Sequence, residues 1–135
     1  MAFNKNKQNE TVGSTVARSD ERIAQTGEVF TPLEVCKAMV DTIPESELSD
    51  PSSTFIDPSA GHGNFIVALR DKLLEYHNEK HIIDNMLFAV ELMPDNHSEL
   101  CERIGVSTDH PHYVCADALT YDYGFGQPVG LEAFF

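Results

Sequence analysis

The sequence predicts an α/β fold built on a parallel sheet. Three short apolar segments alternate with amphipathic segments of helical length, and turn residues separate them. Near-continuous apolar strands joined by helices are typical of parallel sheets. Each apolar segment ends near a carboxylate, namely Asp57, Glu91 or Asp117. We therefore expect an initial helix followed by strand, helix, strand, helix and strand.

The initial helix follows a polar N-terminal segment. Residues 1–23 show no apolar periodicity, which predicts a flexible arm, and residues 24–135 have the size of one domain. Apolar residues then recur at helical spacing up to Pro44. Thr31 is expected to cap this helix, with Pro32 at its first position.

The first strand leads into a glycine turn. STFID, residues 53–57, is a short apolar run that predicts a buried strand. The turn PSAGHG follows, in which Gly61 and Gly63 let the backbone approach a ligand without interference from a Cβ atom. The apolar spacing of residues 64–77 predicts a helix directly after the turn.

The alternation of strand and helix continues to residue 119. A second apolar strand is expected over residues 85–92. The next helix has Pro94 in its first turn and Gly105 as its stop signal. A third strand is expected over residues 112–119, with Cys115 packed in the core. The aromatic tail that follows is expected to cover the edge of the sheet.

The acidic composition limits what the chain can bind by itself. The formal net charge is −13, from 22 acidic and 9 basic residues. Duplex DNA repels such a surface, so the chain alone is a poor candidate for gripping a nucleic acid. The charge aids solubility; alternatively, the chain imitates a polyanion or meets a basic partner. Three cysteines without a CxxC pair, a polar N-terminus and no membrane-length apolar run predict a reduced, cytoplasmic protein.

The three carboxylates predict a ligand site. Ligands of open parallel sheets bind at the carboxyl ends of the strands. Amides at the start of the helix after Gly63 favour a negatively charged group, and Glu91 is placed to accept two ribose hydroxyls. A dinucleotide fingerprint is disfavoured, because no glycine follows Gly63 until Gly105. The six histidines match no metal-site spacing and are expected to be surface residues, so no metal is predicted.

Four motifs resemble those of one enzyme family. DPSAGHGNF is similar to the DP-x-x-G-x-G-x-F signature of amino-methylating DNA methyltransferases, the N6-adenine group especially. GEVFTP, at residues 27–32, resembles the segment that precedes this signature, and AVELMPD and ADAL resemble the second and third motifs. The motifs occur in the family's order over residues 24–122. The resemblance implies a Rossmann-like methyltransferase fold, truncated, that binds S-adenosylmethionine.

The resemblance also implies roles for individual residues. Asp57 would hold the amino group of S-adenosylmethionine, Glu91 the ribose hydroxyls, and Asp117 the adenine amino group. Leu92 would pack on the adenine face. The segment FTP would close over the methionine end. The implied cofactor site comprises Phe30, Thr31, Pro32, Asp57, Pro58, Ser59, Ala60, Gly61, Gly63, Glu91, Leu92, Asp117 and Ala118.

Two departures from the family pattern bear on activity. His62 stands where the family has Ser or Thr. The catalytic Asn-Pro-Pro-aromatic motif, which holds the flipped base, does not occur in the sequence, and no catalytic residue is assigned. We therefore expect the cofactor-binding part of a DNA adenine-N6 methyltransferase of the restriction–modification or viral type, inactive alone. A second polypeptide would supply the catalytic and target-recognition parts and the contact with DNA. The alternative is a non-catalytic acidic cofactor-binding module, or an antagonist, that pairs with a modification enzyme.

Overall fold

The fold is a small Rossmann-like α/β unit, as the sequence predicts. A computed structural model of the chain describes Arg22 and residues 30–127. Within these residues the sheet has three parallel strands in the order β1–β2–β3. The strands are β1 (Phe55–Asp57), β2 (Leu87–Glu91) and β3 (Tyr113–Cys115). Asp57 pairs with Ala89 and Glu91 pairs with Cys115, so the carboxyl ends of the strands meet at one edge.

Helices connect and precede the strands. They are α1 (Leu33–Val40), α2 (Glu45–Leu48), α3 (Asn64–Leu73), α4 (Glu79–His81) and α5 (Pro94–Ile104). A π-helical turn, Ile82–Met86, continues α4 into β2, so this strand begins at Leu87 and not at the expected position 85. Helix α3 ends four residues before the expected position 77. Helix α5 has the predicted bounds, and Gly105 ends it in the left-handed conformation.

The predicted start of α1 is wrong in one detail. Pro32, with φ −57° and ψ 145°, occupies the N-cap position, and no side chain caps the helix among the described residues. The Thr31 hydroxyl therefore does not cap the first turn. The Thr31 carbonyl instead accepts a hydrogen bond from Asn64 Nδ2 at 2.8 Å, which ties this segment to the start of α3.

The hydrophobic core lies between the sheet and its helices. The strand residues Leu87, Ala89 and Val90 are fully buried. The inward faces of α3 and α5 are lined by buried apolar residues: Ile66, Leu69, Leu73, Leu100, Cys101 and Ile104. Burying one such aliphatic side chain contributes about 1.5–3 kcal/mol. The core thus fixes both crossover helices, and with them the turns at the carboxyl edge of the sheet.

The third strand is shorter than expected. It ends at Cys115, where the thiol is exposed instead of packed in the core. Just after the strand, Ala116 N donates a hydrogen bond to Glu91 O, and Asp117 then begins a turn. Phe125 of the tail packs on Phe88 of the central strand β2, with ring centroids 4.9 Å apart, so this contact lies on a face of the sheet and not at the edge where the tail was expected. Apart from Arg22, the predicted arm lies outside the described residues.

Candidate functional site

The turn after β1 is held to the end of β2 by one carboxylate. Glu91 is 7% exposed. Its Oε1 accepts from Gly61 N at 2.8 Å, and its Oε2 accepts from Met93 N at 2.9 Å and from Asn96 Nδ2 at 3.2 Å. A carboxylate has about four lone-pair sites, so three donors occupy most of them. Glu91 therefore positions the glycine turn and the start of α5 together.

Gly61 lies directly beneath an aromatic ring. Its φ is +58°, and a Cβ atom placed there would come within 2.9 Å of Phe30 Cε1. The position thus needs glycine for two reasons: the left-handed backbone and the close approach of the ring. Phe30 belongs to the segment expected to close over the methionine end of the cofactor. The structure places Phe30 of that segment against the glycine turn.

Gly63 serves helix packing. It is the N-cap of α3 with φ +102°, and a Cβ atom there would lie 2.6 Å from Leu100 Cδ1. The second glycine of the motif therefore allows α5 to pack against the start of α3. It is buried and does not line the pocket described next.

A pocket of about 270 Å³ opens between the glycine turn and the segment before α1. That volume is close to the lower end for ligand sites. Six predicted site residues line it together with three that were not predicted as site residues. The lining consists of Phe30, Thr31, Asp57, Ser59, Ala60, Gly61, His62, Asn64 and Phe65. Two distant parts of the sequence thus form one concave site.

Asp57 gives the pocket a carboxylate in a desolvated position. Burial raises the pKa of the Asp57 carboxyl; the hydrogen bond from Ser59 N, at 3.0 Å, opposes that rise, and the nearby charge of Glu91 adds to it. A carboxylate that has lost water and lies near a second carboxylate gains from a cationic partner. The first turn of α3 adjoins the same pocket, and its leading amides have no intrahelical acceptor. The pocket therefore suits a ligand that carries an ammonium and a carboxylate.

The third strand end differs from the first two. Asp117 is exposed, and its carboxylate accepts a hydrogen bond from Leu119 N, two residues later. Leu92 is 57% exposed and Leu119 is 93% exposed. Ala118 is half-buried, and its carbonyl accepts from the Tyr123 hydroxyl at 2.7 Å. This side of the edge presents apolar side chains and a carboxylate to solvent.

Comparison with known proteins assigns this arrangement to a family. The pattern of the N-6 DNA Methylase family matches residues 15–104, which is more than half of the chain. The chain belongs to the N-6 DNA methylase family. The match includes the Phe30 segment and the glycine turn, which form the pocket, and the end of β2, where Glu91 holds that turn.

One relative supports the same family. An uncharacterized adenine-specific methylase of Mycoplasma pneumoniae is 40% identical over 77 residues. The matched segment is 48% of this chain and 18% of that protein, so the chain spans less than a fifth of its relative. Neither comparison extends to the Asn-Pro-Pro-aromatic motif, which the chain does not contain.

The remaining predicted site residues lie around the pocket. Pro58 is exposed at the turn, and Pro32 accepts the first backbone hydrogen bonds of α1. The surface assignment of the histidines is wrong for two of the six, because His62 is 1% exposed and His97 is 6% exposed. His97 Nε2 lies 2.6 Å from the Tyr113 carbonyl oxygen inside the α5–β3 contact. Among the described residues no group of His, Cys, Asp and Glu is arranged to hold a metal ion.

Sequence reasoning missed an arginine that contacts the turn. Arg103 Nη1 lies 2.8 Å from His62 O and 3.1 Å from Asn64 Oδ1. Helical spacing places Arg103 on the same face of α5 as Leu100, three residues earlier, but it does not show that this face meets the glycine turn. In the part of the chain that the structure describes, no helix is long and apolar enough to cross a membrane.

Proposed function

We propose that the chain binds S-adenosylmethionine and is the cofactor-binding part of a DNA adenine-N6 methyltransferase. The observation that carries the proposal is the pocket in which Asp57, the glycine turn and Phe30 meet. Its chemistry fits the amino-acid end of the ligand. Asp57 would accept from the ammonium, and the first amides of α3 would face the carboxylate. When bound, the cofactor supplies an activated methyl group.

The adenosine end would lie along the exposed side of the edge. The three donors on Glu91 leave about one lone-pair site, enough for one ribose hydroxyl while the turn amide stays bound. Leu92 and the turn at Asp117 and Ala118 would flank the adenine. The pocket of about 270 Å³ would therefore hold the methionine moiety alone. The nucleoside would cover surface that is open to solvent.

Titration calorimetry tests the cofactor assignment. We expect S-adenosylmethionine to bind with micromolar affinity, which corresponds to about −8 kcal/mol, and NAD to give no heat. The control for folding is a cooperative thermal transition of the same sample. A folded protein that shows neither heat nor thermal shift at millimolar S-adenosylmethionine would refute the proposal.

We propose further that the chain does not methylate DNA by itself. Adenine methylation needs an extruded base held in line with the methyl donor, and the sequence contains no Asn-Pro-Pro-aromatic motif to hold it. The net charge of −13 also opposes a duplex. Another polypeptide would supply the catalytic and target-recognition parts, in the cytoplasm and within a restriction–modification or viral system. Labelled methyl transfer to unmethylated DNA by the lone chain, abolished by Asp57→Ala, would overturn this.

The acidic surface supports a second candidate, a non-catalytic module or antagonist that pairs with a modification enzyme. A basic DNA-binding surface would attract a partner that carries 22 acidic residues against 9 basic ones. Adding the chain to an active adenine methylase distinguishes the two functions. Increased transfer supports a subunit that completes an enzyme. Salt-sensitive inhibition, with no change when S-adenosylmethionine is raised, supports the antagonist.

A further inference from the structure

We propose that Arg103 is a positioning residue for the pocket: it holds the turn into α3 and fixes which nitrogen of His62 carries the proton. This inference rests on the proposed function for its effect on the ligand, but its geometry does not. Arg103 Nη1 is 2.8 Å from His62 O, 2.8 Å from His62 Nδ1 and 3.1 Å from Asn64 Oδ1. One nitrogen of α5 thus contacts three acceptors on the turn, 39–41 residues away in sequence.

The contact with His62 determines its tautomer. A guanidinium has donors only, so a hydrogen bond between Arg103 Nη1 and Nδ1 requires Nδ1 to accept and puts the ring proton on Nε2. The two hydrogens of Nη1 are then shared among three acceptors. Glu99 Oε2 lies 3.9 Å from Nδ1, beyond hydrogen-bond reach. The ring is 1% exposed, lines the pocket, and meets Phe30 edge-on with centroids 4.3 Å apart. Arg103 therefore sets the orientation and the protonated nitrogen of a ring that forms one wall of the site, without touching the ligand itself.

Through Asn64, Arg103 also positions the opposite wall of the pocket, which is the segment before α1. Arg103 donates to Asn64 Oδ1, which leaves Asn64 Nδ2 directed at the Thr31 carbonyl oxygen, 2.8 Å away. Asn64 is 5% exposed, so neither interaction is readily replaced by water. The chain of contacts runs from α5 through the first residue of α3 to the segment before α1. Both sides of the pocket depend on the same arginine.

The other two nitrogens of the Arg103 guanidinium indicate that this residue positions the turn more than it stabilises the fold. Within the described residues, Nε and Nη2 are buried and have no hydrogen-bond partner. Buried donors without acceptors cost folding free energy. Arg103 therefore contributes less to stability than a guanidinium whose donors are all paired. The fully used nitrogen is the one that faces the glycine turn.

The first test is the tautomer of His62 in the ligand-free wild-type protein, read from side-chain nitrogen NMR. We expect an unprotonated Nδ1 and a protonated Nε2, and we expect Arg103→Met to lose this fixed tautomer. A wild-type ring with its proton on Nδ1 overturns the proposal without any variant. This measurement stands even if the protein binds no S-adenosylmethionine, an outcome that would refute only the proposed function.

The second test is S-adenosylmethionine affinity in a matched pair of variants. Arg70→Met is the control, because Arg70 lies at the same helix contact and donates to Arg103 O at 3.2 Å but does not touch the turn. We expect Arg103→Met to bind about tenfold more weakly than Arg70→Met, and Arg103→Lys, whose ammonium can donate to the same acceptors, to recover part of the loss. Equal dissociation constants for the two methionine variants would overturn the positioning role. If Arg103→Met fails to fold, Arg103→Lys provides the test. Wild-type affinity in this variant, together with a mixture of His62 tautomers, would overturn the positioning role.

Discussion

The turn after β1 and the turn after β3 both follow a parallel strand with a carboxylate, but they are held very differently. The β1 turn contacts five distant partners, namely Phe30, Val90, Glu91, Leu100 and Arg103. The β3 turn at Asp117 is closed by hydrogen bonds to residues two to four positions later. A ligand would therefore meet a preformed wall on one side and a locally closed, exposed turn on the other.

The β1 turn would therefore bind the methionine end of the ligand with preorganised groups, whereas the β3 turn would not do so for the adenine end. Restricting a site in its binding geometry before the ligand arrives lowers the free-energy cost of association. Substitutions in the β1 turn should consequently change affinity more than substitutions in the β3 turn. The predictions below rank four positions by that criterion.

Gly61→Ala should have the largest effect. The new Cβ atom would lie 2.9 Å from Phe30 Cε1, and the alanine would have to adopt a φ of +58°. Left-handed strain alone costs about 1–3 kcal/mol, and displacement of the ring would damage the pocket as well. We expect S-adenosylmethionine affinity to fall about a hundredfold, near 2.7 kcal/mol, by calorimetry.

Gly105→Ala is the matched control for that experiment. Gly105 also has a left-handed φ, +77°, but a Cβ atom there would meet nothing within 4 Å. Its stability should fall through strain, while its affinity for the ligand should match the wild type. Equal affinity losses in the two variants would show that the effect is general destabilisation and not the contact with Phe30.

Glu91→Gln should rank second. The amide keeps the shape, but its NH₂ group cannot accept from the Gly61 or Met93 amide. A buried donor left without an acceptor costs about 1–3 kcal/mol of unfolding free energy, and the turn loosens with it. We expect lower stability in urea together with weaker ligand binding.

Asp95→Asn is the comparison for Glu91→Gln. Asp95 forms an exposed, bidentate pair with Arg22 at 2.6 and 2.9 Å. Exposed pairs contribute about 0–1 kcal/mol, so stability should change little and affinity should not change. If Asp95→Asn weakens the ligand as much as Glu91→Gln does, the assignment of Glu91 to the site is wrong.

These rankings also separate what the sequence could predict from what it could not. The order of the three strands and their main helices, the carboxylates at the ends of β1 and β2, and the glycine turn depend on residue patterns that lie close together in the chain, and the structure confirms their placement. Asp117 instead lies two residues beyond the end of β3. The partners of Glu91 Oε1 and of Arg103 are 30 to 41 residues distant, where local spacing carries no information. The end of β3 was also missed, because strand length depends on pairing with β2 and not on the apolar run alone.

Asp57→Asn should weaken ligand affinity less than Glu91→Gln does. It should lower affinity without lowering the stability of the fold at neutral pH. Burial raises the pKa of Asp57 above its ordinary value of 3.8, so the folded protein holds the proton more tightly than the unfolded chain. This group therefore stabilises the fold at low pH, and that contribution is lost as the pH rises from 3.8 through the folded pKa. Ligand affinity should rise over the same window, because the ionised carboxylate binds an ammonium.

The asparagine variant removes both dependences. We expect it to be at least as stable as the wild type at neutral pH and to bind S-adenosylmethionine about tenfold more weakly. Its affinity should be flat between pH 4 and 7, whereas that of the wild type should rise; calorimetry across this range measures both. A wild-type affinity that falls with increasing pH would contradict the contact between Asp57 and the ammonium.

Asp117→Asn should have the smallest effect. The side chain is exposed, and its one described hydrogen bond, from Leu119 N at 2.9 Å, can be accepted equally well by an amide oxygen. The neighbouring turn is closed by the backbone carbonyl of Asp117, which the substitution does not change. Any bond from the adenine amino group would compete with water at this surface, so its net contribution would be about 0.5 kcal/mol, the lower end of the usual range. We expect affinity for S-adenosylmethionine to fall no more than about threefold, which calorimetry against the wild type resolves. A loss larger than that of Gly61→Ala would reverse the comparison, since it would mean that the exposed β3 turn, and not the preformed β1 turn, determines how the ligand binds.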